Sequence, residues 1–268
     1  MRSFKKKVMA GVLSAAVAVS VLGTITPASA AALSAKQYLA KMEKVTNAAK
    51  SCELKQTVTQ EFSQAGQNIS STTVTKQIVF QKPIKTKTAS STKMTGEGID
   101  QSSTTIAYIQ EDENGTIYEY VSVDGSDYEA VDVTDVFTRA SELDASLYSD
   151  AKIVKTSANI VKISAIITGS DMAKSMDALL GAGSDGSDDG ELTIDYSSLN
   201  AVDVTIWIDK KTYQPVKVAT DMAAFYDSYF KAIYAAMGAE CDISYTTAKS
   251  TGVYSNFNNA RNVPFPEF

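Results

Sequence analysis

Val202-Asp203-Val204-Thr205-Ile206-Trp207-Ile208-Asp209 alternates apolar and polar side chains without a break. Successive strand side chains point to opposite faces, so this run predicts a half-buried strand with Val202, Val204, Ile206 and Ile208 inward. Lys210-Lys211-Thr212 is a polar turn that sends the chain back through Gln214–Thr220 as an antiparallel neighbour. Pro215 has no N–H to give to a ladder, which places the start of that returning strand at an edge or a bulge. A helix follows from Met222 to Met237. Its apolar positions are Met222, Phe225, Tyr226, Tyr229, Phe230, Ile233 and Met237, Asp227 and Lys231 pair at i, i+4, and Gly238 closes it. A last strand is expected over Cys241–Tyr254, ahead of a proline-containing tail.

Upstream the pattern is similar. Ser34 and Gln37 form a capping box, Leu33 and Tyr38 stand at the staple positions, and Leu39, Met42, Val45 and Ala49 recur at helical spacing to about Lys50. Period two then takes over. Leu54, Val58 and Phe62 mark one face of a first strand, and Val74, Ile78 and Phe80 mark a second. The Lys- and Thr-rich stretch Ile84–Met94 reads as a polar third strand near an edge. Asn114-Gly115 suits a type I′ hairpin turn between strands carrying Ile106, Tyr108, Ile109 and Ile117, Tyr118, Tyr120. Asp124-Gly125 makes a further turn. A short helix is expected over Thr134–Leu147, strands over Ala151–Thr156 and Ile160–Thr168, and a helix over Ser170–Leu180 with Met172, Met176, Leu179 and Leu180 inward. Gly181–Gly190 is the one low-complexity stretch, a surface loop too short to separate domains. Many antiparallel strands with helices inserted between them give an α+β class, the helices lying on one face of a curved antiparallel sheet.

Residues 1–30 have the order of a cleavable export signal. Arg2, Lys5, Lys6 and Lys7 precede the apolar run Val8–Leu22, and Pro27-Ala28-Ser29-Ala30 ends in a small-x-small site. The expected product is a secreted, extracellular or cell-wall-associated single domain, residues 31–268. Its first cysteine is Cys52, so no diacylglyceryl anchor is available at the cleavage point, and no later segment suits a membrane span. The full chain carries 25 Lys+Arg against 31 Asp+Glu, and the leader removes four of the cations. That acidic balance argues against a nucleic-acid partner and against docking on an anionic membrane face.

The chain has no histidine. It therefore lacks the usual general base, the usual triad member and the commonest ligand of catalytic zinc. No GxSxG elbow and no phosphate-binding Gly-rich loop occurs. Asp203 and Asp209 are the prominent acids, but they sit on a polar face or at a turn, which does not suit a glycosidase pair. Asp185-Gly186-Ser187-Asp188-Asp189-Gly190-Glu191-Leu192 begins like a calcium loop, yet Tyr196 stands where a bidentate Glu is required. The reading is a non-enzyme with no metal or cofactor. Cys52 and Cys241 make an even pair in an exported chain, so a disulfide between them and two buried thiols are both open.

The run Asp203–Lys217, the helix after Asp221 and the ending Tyr254-Ser255-Asn256-Phe257-Asn258 with Val263-Pro264 together resemble a family of exported Firmicutes proteins of unknown function (DUF6612-like). Those proteins in turn resemble the LolA-like lipoprotein carrier fold. The resemblance implies an unclosed antiparallel half-barrel wrapped over helices, with an apolar cavity between, and supplies no catalytic residues. An apolar or acylated ligand would lie against Phe225, Tyr229, Phe230 and Ile233 of the last helix and Met176 and Leu180 of the earlier one. The same stripe would serve equally as ordinary core. In that case the protein is a structural or protein-interaction component of the cell envelope with an envelope protein as partner.

Overall fold

The computed structural model describes residues 33–134, 144–180 and 195–267. Helix α1 (Ala35–Asn47) opens on the expected capping box. The Gln37 N–H donates to Ser34 Oγ at 3.3 Å, and the Ser34 N–H donates to Gln37 Oε1 at 2.8 Å. Four long strands follow: β1 (Ser51–Gln64), β2 (Gln67–Gln81), β3 (Ile84–Gly96) and β4 (Ile99–Glu111). Then come β5 (Ile117–Val123), β6 (Glu129–Asp132), β7 (Ser149–Thr156), β8 (Ile160–Ile167) and helix α2 (Gly169–Leu180). Strands β9 (Val202–Asp209) and β10 (Pro215–Asp221), helix α3 (Ala223–Ala236) and β11 (Ile243–Ser255) complete the fold.

Among the described residues, all eleven strands form one open antiparallel sheet in the order β6-β5-β4-β3-β2-β1-β11-β10-β9-β8-β7. The last strand thus returns to lie beside the first and joins an N-terminal half, β1–β6, to a C-terminal half, β7–β11. The class is α+β: an unclosed antiparallel sheet with helices on one face.

The helices pack on the C-terminal half. Leu39 and Met42 of α1, Ala173 of α2 and Phe225 of α3 close over Val161 and Ile163 of β8 and Val202, Val204, Ile206 and Ile208 of β9, each at most 2% exposed. Burying one such large side chain contributes about 1.5–3 kcal/mol. Pro215 does mark a bulge, since the β9–β10 register shifts between Pro215 and Lys217, but β10 lies inside the sheet.

Two local expectations change. Strand β3 is not near an edge; it runs between β2 and β4 along its whole length. The type I′ turns are instead at Asp124-Gly125, with φ +52° and +79°, and at Ala65-Gly66 between β1 and β2, with φ +52° and +77°. At Asn114-Gly115 only the glycine is left-handed, and Asp112 Oδ1 accepts the N–H groups of Asn114 and Thr116, both at 2.8 Å. Most of the expected helix Thr134–Leu147 lies outside the described residues, whose nearest element is a 3₁₀ turn, Ala145–Leu147.

The cysteines require a correction too. Cys52 stands at the start of β1, and Cys241 precedes β11, whose first residue Ile243 pairs with Gln64 at the far end of β1. Antiparallel neighbours begin at opposite ends, so at about 3.3 Å per residue roughly 40 Å of strand separates Cys52 from Gln64, the partner of Ile243. A disulfide needs Cα atoms within about 7 Å. Both are free thiols.

Candidate functional site

The continuous register shows which side chains share the helix-bearing face. From Ile206 it passes to Val218, then Gly252, Gln56, Thr75, Ser90 and Thr105. The inner face of β1 thus carries Leu54, Gln56, Val58, Gln60 and Phe62, while that of β2 carries Ile69, Ser71, Thr73, Thr75, Gln77 and Val79. Val74, Ile78 and Phe80, the apolar residues that mark β2 in the sequence, point outward. Phe80 meets Phe265 of the C-terminal tail there, ring centroids 6.4 Å apart.

The two faces of β1–β4 differ in charge. Lys55, Lys76, Lys85, Lys87 and Lys93 all occupy outward positions. No charged side chain stands on the inner face of these strands short of Glu111, at the end of β4, whose carboxylate accepts the Ile84 N–H at 3.1 Å. The inner centre is instead a lattice of hydroxyls and amides. Thr73 Oγ1 lies 3.0 Å from Thr92 Oγ1, and Thr75 Oγ1 lies 2.9 Å from Ser90 Oγ. Gln77 Nε2 donates to Thr88 Oγ1 at 3.3 Å and Gln56 Nε2 to Ser250 Oγ at 2.9 Å.

Gln60 belongs to this lattice but is not satisfied by it. It is 8% exposed, and its register partners are the short side chains of Ser71 and Ala248. Among the described residues its buried Nε2 donates to nothing. Leaving such a donor unmade costs about 1–3 kcal/mol. On the adjoining strand β5, Glu119 shares the inner face, and burial raises its carboxyl pKa above the ordinary carboxylate range.

An aromatic wall borders the lattice where α3 crosses β11. Tyr245 stacks on Phe62 of β1 (5.2 Å, 29°) and on Phe230 of α3 (5.8 Å, 11°). All three rings are only partly buried. Burial raises the Tyr245 phenol, with the neighbouring Tyr226 and Cys241 adding to the effect.

The ligand-lining residues expected from sequence are divided by the structure. Phe225 and Tyr229, 0% and 3% exposed, stack on each other at 5.4 Å inside the filled core. Phe230, Ile233 and Met176 are half-buried at its margin. Leu180 ends α2, and its side chain lies outside the described residues, as does the loop Asp185–Glu191. Asp203 faces outward opposite Asp221. Asp209 caps the β9–β10 turn by accepting the N–H groups of Lys211 at 2.9 Å and Thr212 at 2.8 Å. Sequence reasoning passed over Gln60 and the Ser/Thr lattice, because polar strand residues read as solvent-facing. The signal available was the pairing register, in which Val58 and Phe62 flank Gln60 on one face.

No family model and no curated protein matches the chain. Solved structures similar at low identity include the following two. A DUF1329 family protein from Desulfovibrio piger ATCC 29098 is 9% identical, with a TM-score of 0.25, over 84% of this chain and 91% of that one. A putative outer membrane lipoprotein-sorting protein domain from Vibrio parahaemolyticus is 12% identical, with a TM-score of 0.23, over 85% of this chain and 88% of that one.

Proposed function

We propose that this protein is an exported, non-enzymatic binding module whose inner sheet face holds an apolar or acylated ligand. The carrying observation is the half-buried Phe62–Tyr245–Phe230 wall, which continues the apolar core beyond the edge of α3. An acyl chain laid along it exchanges water for aromatic surface at about 0.8 kcal/mol per CH₂. Eight methylenes would contribute roughly 6 kcal/mol before ordering costs. Ile233 and Met176 supply adaptable surface at the same margin. The resemblance carried by Asp203–Lys217 implies the same ligand class.

Displacement of a fluorescent fatty acid tests this reading, with native mass spectrometry of protein from its own host as a second measure. Binding that is lost in Phe230→Asp, with the fold intact by circular dichroism, is the expected result. Clean apo protein and no probe binding would overturn it. The filled interface of Phe225, Ile163, Ile206 and Ile208, each 0% exposed, favours the second reading in that event: an envelope structural or interaction protein.

A further inference from the structure

We infer that the hydroxyl and amide lattice at the centre of the inner face is a subsite for an uncharged glycosyl group, next to the aromatic wall. The inference rests on the proposed binding function and specifies the polar part of its ligand. Three observations carry it. The Nε2 of Gln60 is buried, faces the inner side and lacks an acceptor, so a ligand there brings one. The half-buried Ser90 and Thr92, oriented by hydrogen bonds with the buried Thr75 and Thr73, offer hydroxyls that both donate and accept, which matches the two-way hydrogen bonding of sugar hydroxyls. With no lysine or arginine on this face of β1–β4, a phosphate or carboxylate would meet no counter-charge.

Position completes the argument. Phe62 lies two residues beyond Gln60 on the same face of β1 and presents a ring to the apolar face of a pyranose, while Tyr245 continues it toward α3. A glycosyl head on the lattice and an acyl tail on the wall fit one amphiphile. The same lattice would also take the end of a free glycan, and the two sources are separable by experiment.

The test is calorimetric titration of the purified exported protein with dodecyl maltoside, dodecylphosphocholine and laurate below their micelle concentrations, and with free maltose. The expected result is dodecyl maltoside binding at least about tenfold tighter than dodecylphosphocholine, since a site built around hydrogen bonds rejects a head group that cannot make them. Gln60→Leu and Thr75→Val should each erase most of that preference and leave laurate binding unchanged. Equal affinity for the two amphiphiles, or a preference untouched by both substitutions, overturns the glycosyl subsite while laurate binding leaves the acyl reading standing. Maltose binding without laurate binding would sustain the subsite and assign it to a free glycan. Binding of none of the four ends both. Should Gln60→Leu fail to fold, the wild-type comparison together with Thr75→Val decides.

Discussion

Arg261 grips Glu53 with three donors: its backbone N–H at 2.9 Å and Nε at 3.0 Å reach Oε1, and a terminal guanidinium nitrogen reaches Oε2 at 3.2 Å. This pair fastens the C-terminal tail to the start of β1, and the tail then carries Phe265 onto Phe80 and Tyr108. The Arg261 side-chain and backbone hydrogen bonds hold the Glu53 carboxyl below the usual carboxylate range. A depressed folded pKa gives stability that is present above the unfolded value and lost as pH falls through the folded one. Arg261→Ala should therefore expose the tail to limited proteolysis at pH 7, and wild type and variant should converge in melting temperature as the pH is lowered below 4.

The thiols give a second prediction. Burial, with the adjacent Glu53 adding to it, pushes Cys52 up to about 11. Against an ordinary thiol near 8.5, its thiolate population at pH 8 is smaller by roughly two orders of magnitude, and alkylation slows accordingly. Iodoacetamide mapping by mass spectrometry should show Cys52 lagging by that margin. Dithiothreitol should leave the melting temperature unchanged, whereas a shift on reduction would contradict two free thiols.

Core truncation separates buried from exposed positions. Phe225→Ala removes a ring that is 0% exposed and should cost about 3–5 kcal/mol in chemical denaturation. Val154→Ala, at a residue 53% exposed, should stay within about 0.5 kcal/mol of wild type.

Gly169 opens α2 against the backbone that precedes β9. A methyl group there would collide with the carbonyl oxygens of Leu199 and Asn200, which cannot swing aside as a side chain could. Gly169→Ala should destabilise the protein by about 1–3 kcal/mol, read as a lower denaturation midpoint.

The clarity of the sequence signal followed the covering of the sheet. Strand β9 reads cleanly because helices cover one face and water the other, so Val202, Val204, Ile206 and Ile208 had one place to go. In β2 the same reasoning picked Val74, Ile78 and Phe80, and the pairing with β1 turns them outward. The inner positions there are Ser71, Thr73 and Thr75, whose burial comes from tertiary placement and leaves no apolar period to read. Strand β3 suggested an edge through its lysines, yet alternation sends all three to the outer face of an interior strand. The pairing of Cys52 with Cys241 failed on strand direction, a property of topology that residue spacing does not carry. Helix α1 was legible to its cap because a capping box is local chemistry.

The border formed by β7 bears on self-association. An unclosed sheet offers unpaired backbone groups at its margins, and flat margins recruit further strands from other molecules. Along β7 the register slips twice, between Ser149 and Lys152 and between Ile153 and Lys155, and Asp150 adopts φ +49°. Such a crooked, lysine-bearing rim is a poor template for fibril-like growth, so the chain can display exposed Ile153 and Val154 there without inviting copies of itself to stack on.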